Sequence, residues 1–287
     1  MRFAAIDECR GQHALKNMCR AMQVSQSGYF SWKNRGCSAK EAEDYRLARL
    51  IEKVYLGSRN TYGSPRVHAM LKNLGENISR ARVARLMQLH GIRAKTKRKF
   101  KATTNSKHRL PVAKNILARN FKPKGTNQAW AGDITYLWTD EGWLYLAVVL
   151  DLFSRKVIGW AMEPTLSKEL ALKALRMALN QRQTPDGLIV HSDQGSQYAS
   201  NEYQDLLRRF AISCSMSRRG NCWDNSPIES FFGTLKQEHV FFCKYKTRDE
   251  ARRSIFEWIE GFYNRERIHS ALGFLSPERY ECLARVS

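Results

Sequence analysis

Along the first ninety or so residues, apolar positions recur at helical spacing in short segments; near residue 130 the pattern changes to the denser runs of β-strands. Leu15 to Met22, a turn at Val24-Ser25-Gln26 and Gly28 to Lys33 have helix-turn-helix proportions. A second helical unit opens with a helix near Glu43 to Tyr55. In Tyr62-Gly63-Ser64-Pro65, Ser64 is placed to cap and Pro65 suits a first helical position, which predicts a helix over Pro65 to Leu74 that stops at Gly75. Asn77-Ile78-Ser79 offers the next N-cap. Val83, Leu86, Met87 and His90 follow at i, i+3, i+4 and i+7, and Gly91 ends that helix.

The second half reads as α/β. Trp130 to Trp138, Trp143 to Leu152 and Lys156 to Glu163 are three consecutive strands with short turns. A helix follows from Ser167 to about Gln183, with Ser167 as its cap and Leu170, Leu175 and Leu179 buried. Then come a strand at Leu188 to Ser192, a helix near Asn201 to Phe210, a strand at Ile212 to Met216 and further helices. The order predicts a mixed sheet whose first three strands form an antiparallel meander. Thr247-Arg248-Asp249-Glu250 is a capping box, and Ala251, Ile255, Trp258, Ile259 and Phe262 form the apolar stripe of the helix it opens.

Charge divides the chain more sharply than hydropathy does. The 287 residues carry 48 Lys and Arg against 27 Asp and Glu, an excess of 21. Residues 1–125 hold 28 basic and 7 acidic residues, which is the entire excess; residues 126–287 hold 20 of each. No acid occurs between Glu76 and Asp133, and residues 93–124 include 12 Lys and Arg. Self-repulsion over such a length calls for a polyanion, most simply nucleic acid. Arg82 and Arg85 lie off the apolar stripe of their helix, where a recognition helix carries its contacts. Hydrophobic content of 43% excludes a disordered tail, the longest apolar run is too short to span a bilayer, and the seven cysteines include no C-x-x-C pair. These features suit a cytoplasmic protein with reduced thiols; Cys9, His13, Cys19 and Cys37 are too irregularly spaced to read as a zinc site.

Three acids stand out in the neutral half. Asp133 lies within the first strand (AWAGDITYLW), Asp193 ends the fourth (LIVHSDQGSQY), and Glu229 opens a helix after a Gly/Asn-rich loop (RRGNCWDNSPIESFFGTLK). Metal-assisted phosphodiester chemistry uses such a set, because hard divalent cations take carboxylate oxygens and two ions about 3.5–4 Å apart can clamp attacking and leaving oxygens. Each acid has a plainer reading. Asp133 could pair with a buried arginine, Asp193 could cap the turn before Gly195, and Ser226-Pro227-Ile228-Glu229 forms a capping box that needs no catalytic glutamate. Lys236 shares a helical face with Glu229 two turns on and can reach a phosphate, or can be a surface lysine. His191, two residues before Asp193, could take a metal or proton-transfer role but reads rather as a satisfied structural histidine, and Asp151 and Asp224 read as structural or supporting acids.

The strings W-x-x-D-I-T-Y, H-S-D-Q-G-S-Q-Y and N-C-W-D-N-S-P-I-E-S-F-F-G-T-L-K, with 35 residues between Asp193 and Glu229, resemble the D,D(35)E signature of insertion-sequence transposases. The likeness is to the OrfB product of the insertion-sequence-3 family and extends to M-C-R-A-M-Q-V-S-Q-S-G-Y-F-S-W, Y-G-S-P-R-V-H and R-I-H-S-A-L-G-F-L-S-P-E-R-Y. It implies an RNase H-like, integrase-like catalytic domain on a mixed five-stranded sheet, preceded by an all-α helix-turn-helix region. Asp133, Asp193 and Glu229 would then be the metal-binding catalytic triad with two Mg²⁺ (or Mn²⁺) ions, and Lys236 would match the family's basic residue seven positions after the glutamate.

The resulting expectation is a helical segment over 1–40, a helix-turn-helix domain over 41–95, a basic linker over 96–125 and the catalytic domain over 126–287. DNA contacts are expected from Arg66, Arg80, Arg82, Arg85, Lys95, Lys97, Arg98, Lys99 and Lys236. The implied activity is metal-dependent cleavage of element ends and strand transfer, on terminal inverted repeats and target DNA. A homo-oligomer on DNA, an OrfA or OrfAB partner and a bacterial, nucleoid-associated location go with it, without a membrane. A structure-specific nuclease, or a catalytically silent DNA-binding regulator, is the alternative.

Overall fold

The computed structural model describes residues 2–36, 38–95, 111–219 and 221–285. Helices α1 (Arg2–Glu8), α2 (Leu15–Ala21) and α3 (Gln26–Lys33) bury Ile6, Cys19 and Tyr29 together in a small core of their own. Ser25 caps α3 by accepting from the Gly28 amide at 2.9 Å. The first of these helices has one deeply buried position, Ile6, too few to leave a periodic trace in the sequence.

Helix α4 (Ala39–Gly57) starts on a complete Ser38–Glu41 capping box. It packs with α5 (Ser64–Asn73) and α6 (Arg80–Leu89) around Leu47, Ile51, Val67, Leu71, Val83, Leu86 and Met87. Two expected details differ. Gly63, not Ser64, is the cap of α5, so no side chain caps it and Ser64 is already helical. His90 lies outside the buried stripe, because α6 ends at Leu89 and Gly91 turns the chain away at φ +67°. Ser79 caps α6 as expected.

The α/β part comprises β1 (Ala129–Thr139), β2 (Gly142–Asp151), β3 (Val157–Glu163), α7 (Lys168–Gln181), β4 (Ile189–Ser192), α8 (Asn201–Arg209), β5 (Ser213–Met216), α9 (Ser226–Glu238), α10 (Arg248–Phe256) and α11 (Pro277–Ala284). The sheet order is β3-β2-β1-β4-β5; β1, β2 and β3 are antiparallel, and β1, β4 and β5 parallel. This is the mixed five-stranded sheet and α/β class expected.

Alternation sorts the strands between two faces. Ala147 and Val149 face α7, where Leu170, Ala171 and Leu175 cover them. Gly159 permits that approach, since a Cβ there would sit 2.2 Å from the Ala174 carbonyl. Leu144, Leu146, Val148 and Leu150 face the other way, under Ile228, Phe231 and Leu235 of α9 and Ala251 and Ile255 of α10. Beyond α10 a π-helical segment, Glu257–Tyr263, buries Trp258, Ile259 and Phe262. That second layer is continuous with the α4–α6 core.

The start of β3, at one sheet margin, is met by a side chain: Asn264 accepts from the Val157 amide at 2.9 Å and donates to its carbonyl at 3.0 Å. The opposite margin is met by residues 111–125. Ile116 and Leu117 donate to Ser215 Oγ of β5, Leu117 is buried, and Met216 donates to the Lys114 carbonyl. The segment expected as a linker thus divides: 96–110 lie outside the described residues, and 111–125 run against the α/β layer.

Candidate active site

The register of the parallel pair decides what β1 and β4 bring together. Ala131 is opposite His191 and β4 ends at Ser192, so Asp193, the residue just past β4, lies near Asp133 of β1. Between these strands the sheet changes from antiparallel to parallel and connections depart in opposite directions, the kind of switch point where α/β sheets open a crevice. Asp133 shares its strand face with Ala131 and Leu137, which pack in the layer of α9. Its Oδ1 accepts from the Ile134 amide at 2.7 Å. Asp193 Oδ1 accepts from the Gly195 amide at 2.9 Å, the turn-capping bond expected of a D-x-G sequence. A Cβ on Gly195 would meet that same oxygen at 2.9 Å, so the turn favours glycine. Tyr198 packs its ring on Gly132 beneath the site.

Glu229 stands in the first turn of α9, and its capping-box reading fails. Asn225 is the cap position, Ser226 is the first helical residue, and no side-chain capping bond forms. The reason is the turn that leads in. Residues Cys222–Asn225 form a 3₁₀ turn whose Asp224 is buried and clamped by Arg218 at 2.8 Å, Arg119 at 2.7 Å and Asn115 at 3.0 Å. Those hydrogen bonds hold the Asp224 carboxyl far below the usual range, Arg218 contributing most. The start of α9 is therefore fixed by Asp224 rather than by a cap. Glu229 as a whole remains solvent-accessible, with its carboxyl partly buried.

The electrostatics are those of like charges gathered in a poorly hydrated place. Burial raises the Asp133 carboxyl well above the ordinary range; the nearby charges of Asp193 and then Glu229 raise it further, while Lys236 opposes them. Burial also raises Glu229. Lys236 is not a surface lysine: it is buried, its ammonium lies 4.9 Å from the Tyr136 ring centroid, and burial lowers its pKa against the pull of Asp133. Among the described residues, no group of three His, Cys, Asp or Glu side chains is drawn together closely enough to hold a metal ion unaided. The donor chemistry nevertheless fits a hard divalent cation: oxygen-only ligands whose mutual repulsion a cation relieves.

The remaining acids and His191 have other work. Asp151 is buried and accepts from the Asn127 and Phe153 amides, each at 2.8 Å. His191 bonds Ser215 Oγ through Nδ1 at 2.8 Å, with Asp224 and Asn225 beside the ring.

The expected DNA-contacting residues do not form one patch. Arg80 is exposed at the start of α6. Arg82 and Arg85 both pair with Asp44 of α4 at 2.7 Å. Arg66 faces the α/β layer, 3.2 Å from Glu238 at the end of α9, and Glu238 also receives both arms of the buried Arg267 at 2.7 Å. Lys95 lies over the Phe242 ring at 5.4 Å. Lys97, Arg98 and Lys99 lie outside the described residues. Asp44, Asp224 and Glu238 are the residues that sequence reasoning missed or undervalued, since their partners come from distant segments.

Residues 123–222 and 211–277 match family descriptions of an integrase core domain, and residues 42–100 match an HTH-like domain. The chain is 45% identical over 271 residues to the Insertion element IS600 uncharacterized 31 kDa protein of Shigella sonnei, covering 93% of this chain and 100% of that protein. It is 42% identical over 283 residues to the Transposase InsF for insertion sequence IS3A of Escherichia coli (strain K12), covering 98% of each. Among solved structures it is similar to the HTLV-2 integrase catalytic core domain in complex with magnesium, with a TM-score of 0.44 at 16% identity, covering 56% of this chain and 99% of that one. Among the described residues no helix is long and apolar enough to cross a membrane.

Proposed function

The chain belongs to the insertion-sequence transposases of the IS3 type, which carry an integrase core and act in DNA transposition, and from that premise we propose that Asp133, Asp193 and Glu229 perform its phosphodiester chemistry with divalent metal. The observation that supports the proposal is the parallel β1–β4 pairing, with Ala131 opposite His191, from which Asp193, just past β4, comes near Asp133 at the sheet's switch point. Burial of Asp133, and then the nearby charges of Asp193 and Glu229, disfavour its charged form and mark a place that a cation would stabilise. Two Mg²⁺ or Mn²⁺ ions held there would supply the polarisation of a phosphodiester and the activation of the attacking hydroxyl.

The chain's own residues do the rest. Asp133 and Asp193 keep one oxygen each bonded to a backbone amide, which fixes how the carboxylates are turned. Glu229 approaches from α9, whose entry Asp224 secures. Lys236, buried beside Asp133, places an ammonium for a phosphate oxygen. No side-chain nucleophile is needed. Hydrolysis at the element end breaks a phosphodiester and frees a 3′-hydroxyl; the oxygen of that hydroxyl attacks a target phosphodiester, one P–O bond forming as another breaks. The basic helical half holds terminal repeats and target DNA, and the assembly is a homo-oligomer that brings two ends together.

Joining of an oligonucleotide bearing the element end to plasmid DNA tests this reading. Joining should require Mg²⁺ and fall at least about 10³-fold in Glu229→Gln while DNA binding persists. Undiminished joining in that variant overturns the triad. Cutting without a joined product would identify a nuclease instead. Mg²⁺ should also raise the unfolding temperature of the native chain and do so far less in Asp133→Asn.

A further inference from the structure

We propose that α3 is a second base-reading helix, distinct from the α4–α6 unit, which inserts Gln26, Ser27 and Phe30 into the major groove of the element's DNA. This rests on the transposase reading above. The family match to an HTH-like domain begins at residue 42, so residues 2–36 lie outside it.

The geometry is that of a helix-turn-helix built around a minimal core. Helix α2 ends at Ala21, and Gln23 adopts φ +53°, the left-handed conformation that lets a four-residue turn reverse the chain. Val24 packs inward from the turn, and Ser25 caps α3. Met18 and Cys19 of α2, Tyr29 of α3 and Ile6 of α1 meet in the core. A Cβ on Gly28 would come 3.2 Å from the Phe3 ring, so α3 lies tight against α1 on that side. Tyr29 also donates to Asp7, which Lys33 approaches at 2.7 Å. One face of α3 is consumed in this way.

The other face is exposed. Gln26, Ser27, Phe30 and Ser31 follow at i, i+1, i+4 and i+5, a single stripe starting from the first helical residue. Recognition helices read base edges mainly with such N-terminal residues. These side chains suit base reading, since glutamine can bond adenine through N6 and N7, a serine hydroxyl serves any base, and an aromatic edge packs on a thymine methyl. Phe30 is 43% exposed, and the Arg10 guanidinium lies 5.8 Å from its ring centroid. Lys16 and Arg20 are exposed on α2, where the first helix crosses the phosphate backbone. Six Lys and Arg against two acids in residues 2–36, with Asp7 already bound to Lys33, match the charge of a duplex. The α4–α6 unit is differently equipped, since Asp44 holds both Arg82 and Arg85.

Selection by the full-length chain from a duplex library randomised over about three helical turns tests the proposal. The native chain should enrich two adjacent blocks of preferred bases. Gln26→Ala combined with Phe30→Ala changes exposed positions only, and should lose discrimination in one block by at least about 5-fold per base while the other block persists. Gln26→Arg should convert an adenine preference to guanine in that block alone, which a purely structural role of α3 cannot produce. Variants that enrich the same bases with the same discrimination overturn the proposal. If the native chain enriches no sequence, the DNA-binding reading beneath it fails as well, whereas loss of joining in Glu229→Gln bears only on the active site.

Discussion

Helices α1–α3 and α4–α6 are both triplets of short helices, yet only the second triplet shares its core with the sheet. The first rests on Ile6, Cys19 and Tyr29. The second runs without a break from Leu47 and Val83 into Trp258 and Phe262. Polar contacts reinforce that difference: Arg59 pairs with Glu257 at 2.9 Å, Arg66 and Arg267 converge on Glu238, and the Ile268 amide donates to the Tyr62 hydroxyl at 2.8 Å. Glu238 closes the same helix that Glu229 opens. The α4–α6 unit is thereby set rigidly against α9, whereas the α1–α3 unit has few apolar contacts and belongs to the low-stability end of the molecule. The α4–α6 unit thus keeps a fixed relation to α9, and the α1–α3 unit can adjust.

The strongest way to break this contrast is at Glu238. Glu238→Ala would strand Arg267, which is 3% exposed, and deprive Arg66 of its partner. A buried ion pair broken on one side costs about 3–5 kcal/mol. Denaturant unfolding should show that loss, with hydrogen exchange rising in α4–α6 and α9 and not in α1–α3. Uniform exchange across both units would show that docking does not distinguish them.

Acid should act on the docked layer next. His239, stacked on Trp258, has its pKa pushed down to about 4 by burial and then Arg59; His269, beside Arg267, is pushed down to about 2 by burial and then Arg267. Both folded values lie below the unfolded value near 6.5. Their contribution is therefore complete above that value and is lost as pH falls toward the folded values. Stability should decline by about 2 kcal/mol for each histidine between pH 7 and pH 5. His239→Gln or His269→Gln should flatten that slope; an unchanged slope in both assigns the acid sensitivity elsewhere.

Helix caps give the smallest and most local effect. Ser25→Ala and Ser79→Ala each remove one N-cap bond, worth about 0.5–2 kcal/mol. In the docked unit that loss should move the global unfolding midpoint. In α1–α3 it should appear only as faster exchange of α3 amides. A midpoint shift from Ser25→Ala would mean that the first unit is coupled to the rest after all.

Much of the fold was legible because its determinants are local. The three long strands are near-continuous apolar runs, and Ser79, Gly75 and Gly91 mark helix ends by cap and turn chemistry. Asp133 and Asp193 were legible for a related reason, a carboxylate in or just after a strand being conspicuous. What escaped depends on partners far apart in sequence. Arg82 and Arg85 looked available for phosphate until Asp44, about forty positions earlier, claimed them. Ser226 carried a complete capping-box pattern that the Asp224 clamp pre-empts, because Arg119 and Arg218 arrive from separate segments. Residues 111–125 had a linker's composition and still found a place along β5, through Ser215 and one buried leucine.

The side-chain amide of Asn264 has a consequence for how these molecules share a cell. By meeting both polar groups of Val157 it imitates one residue of a neighbouring strand. A sheet that ends in open peptide groups invites a second copy to zip along it. Here a would-be recruit finds the first rung already taken, which disfavours strand pairing at that margin. Asn264→Leu would reopen the rung, and its cost should appear as concentration-dependent precipitation.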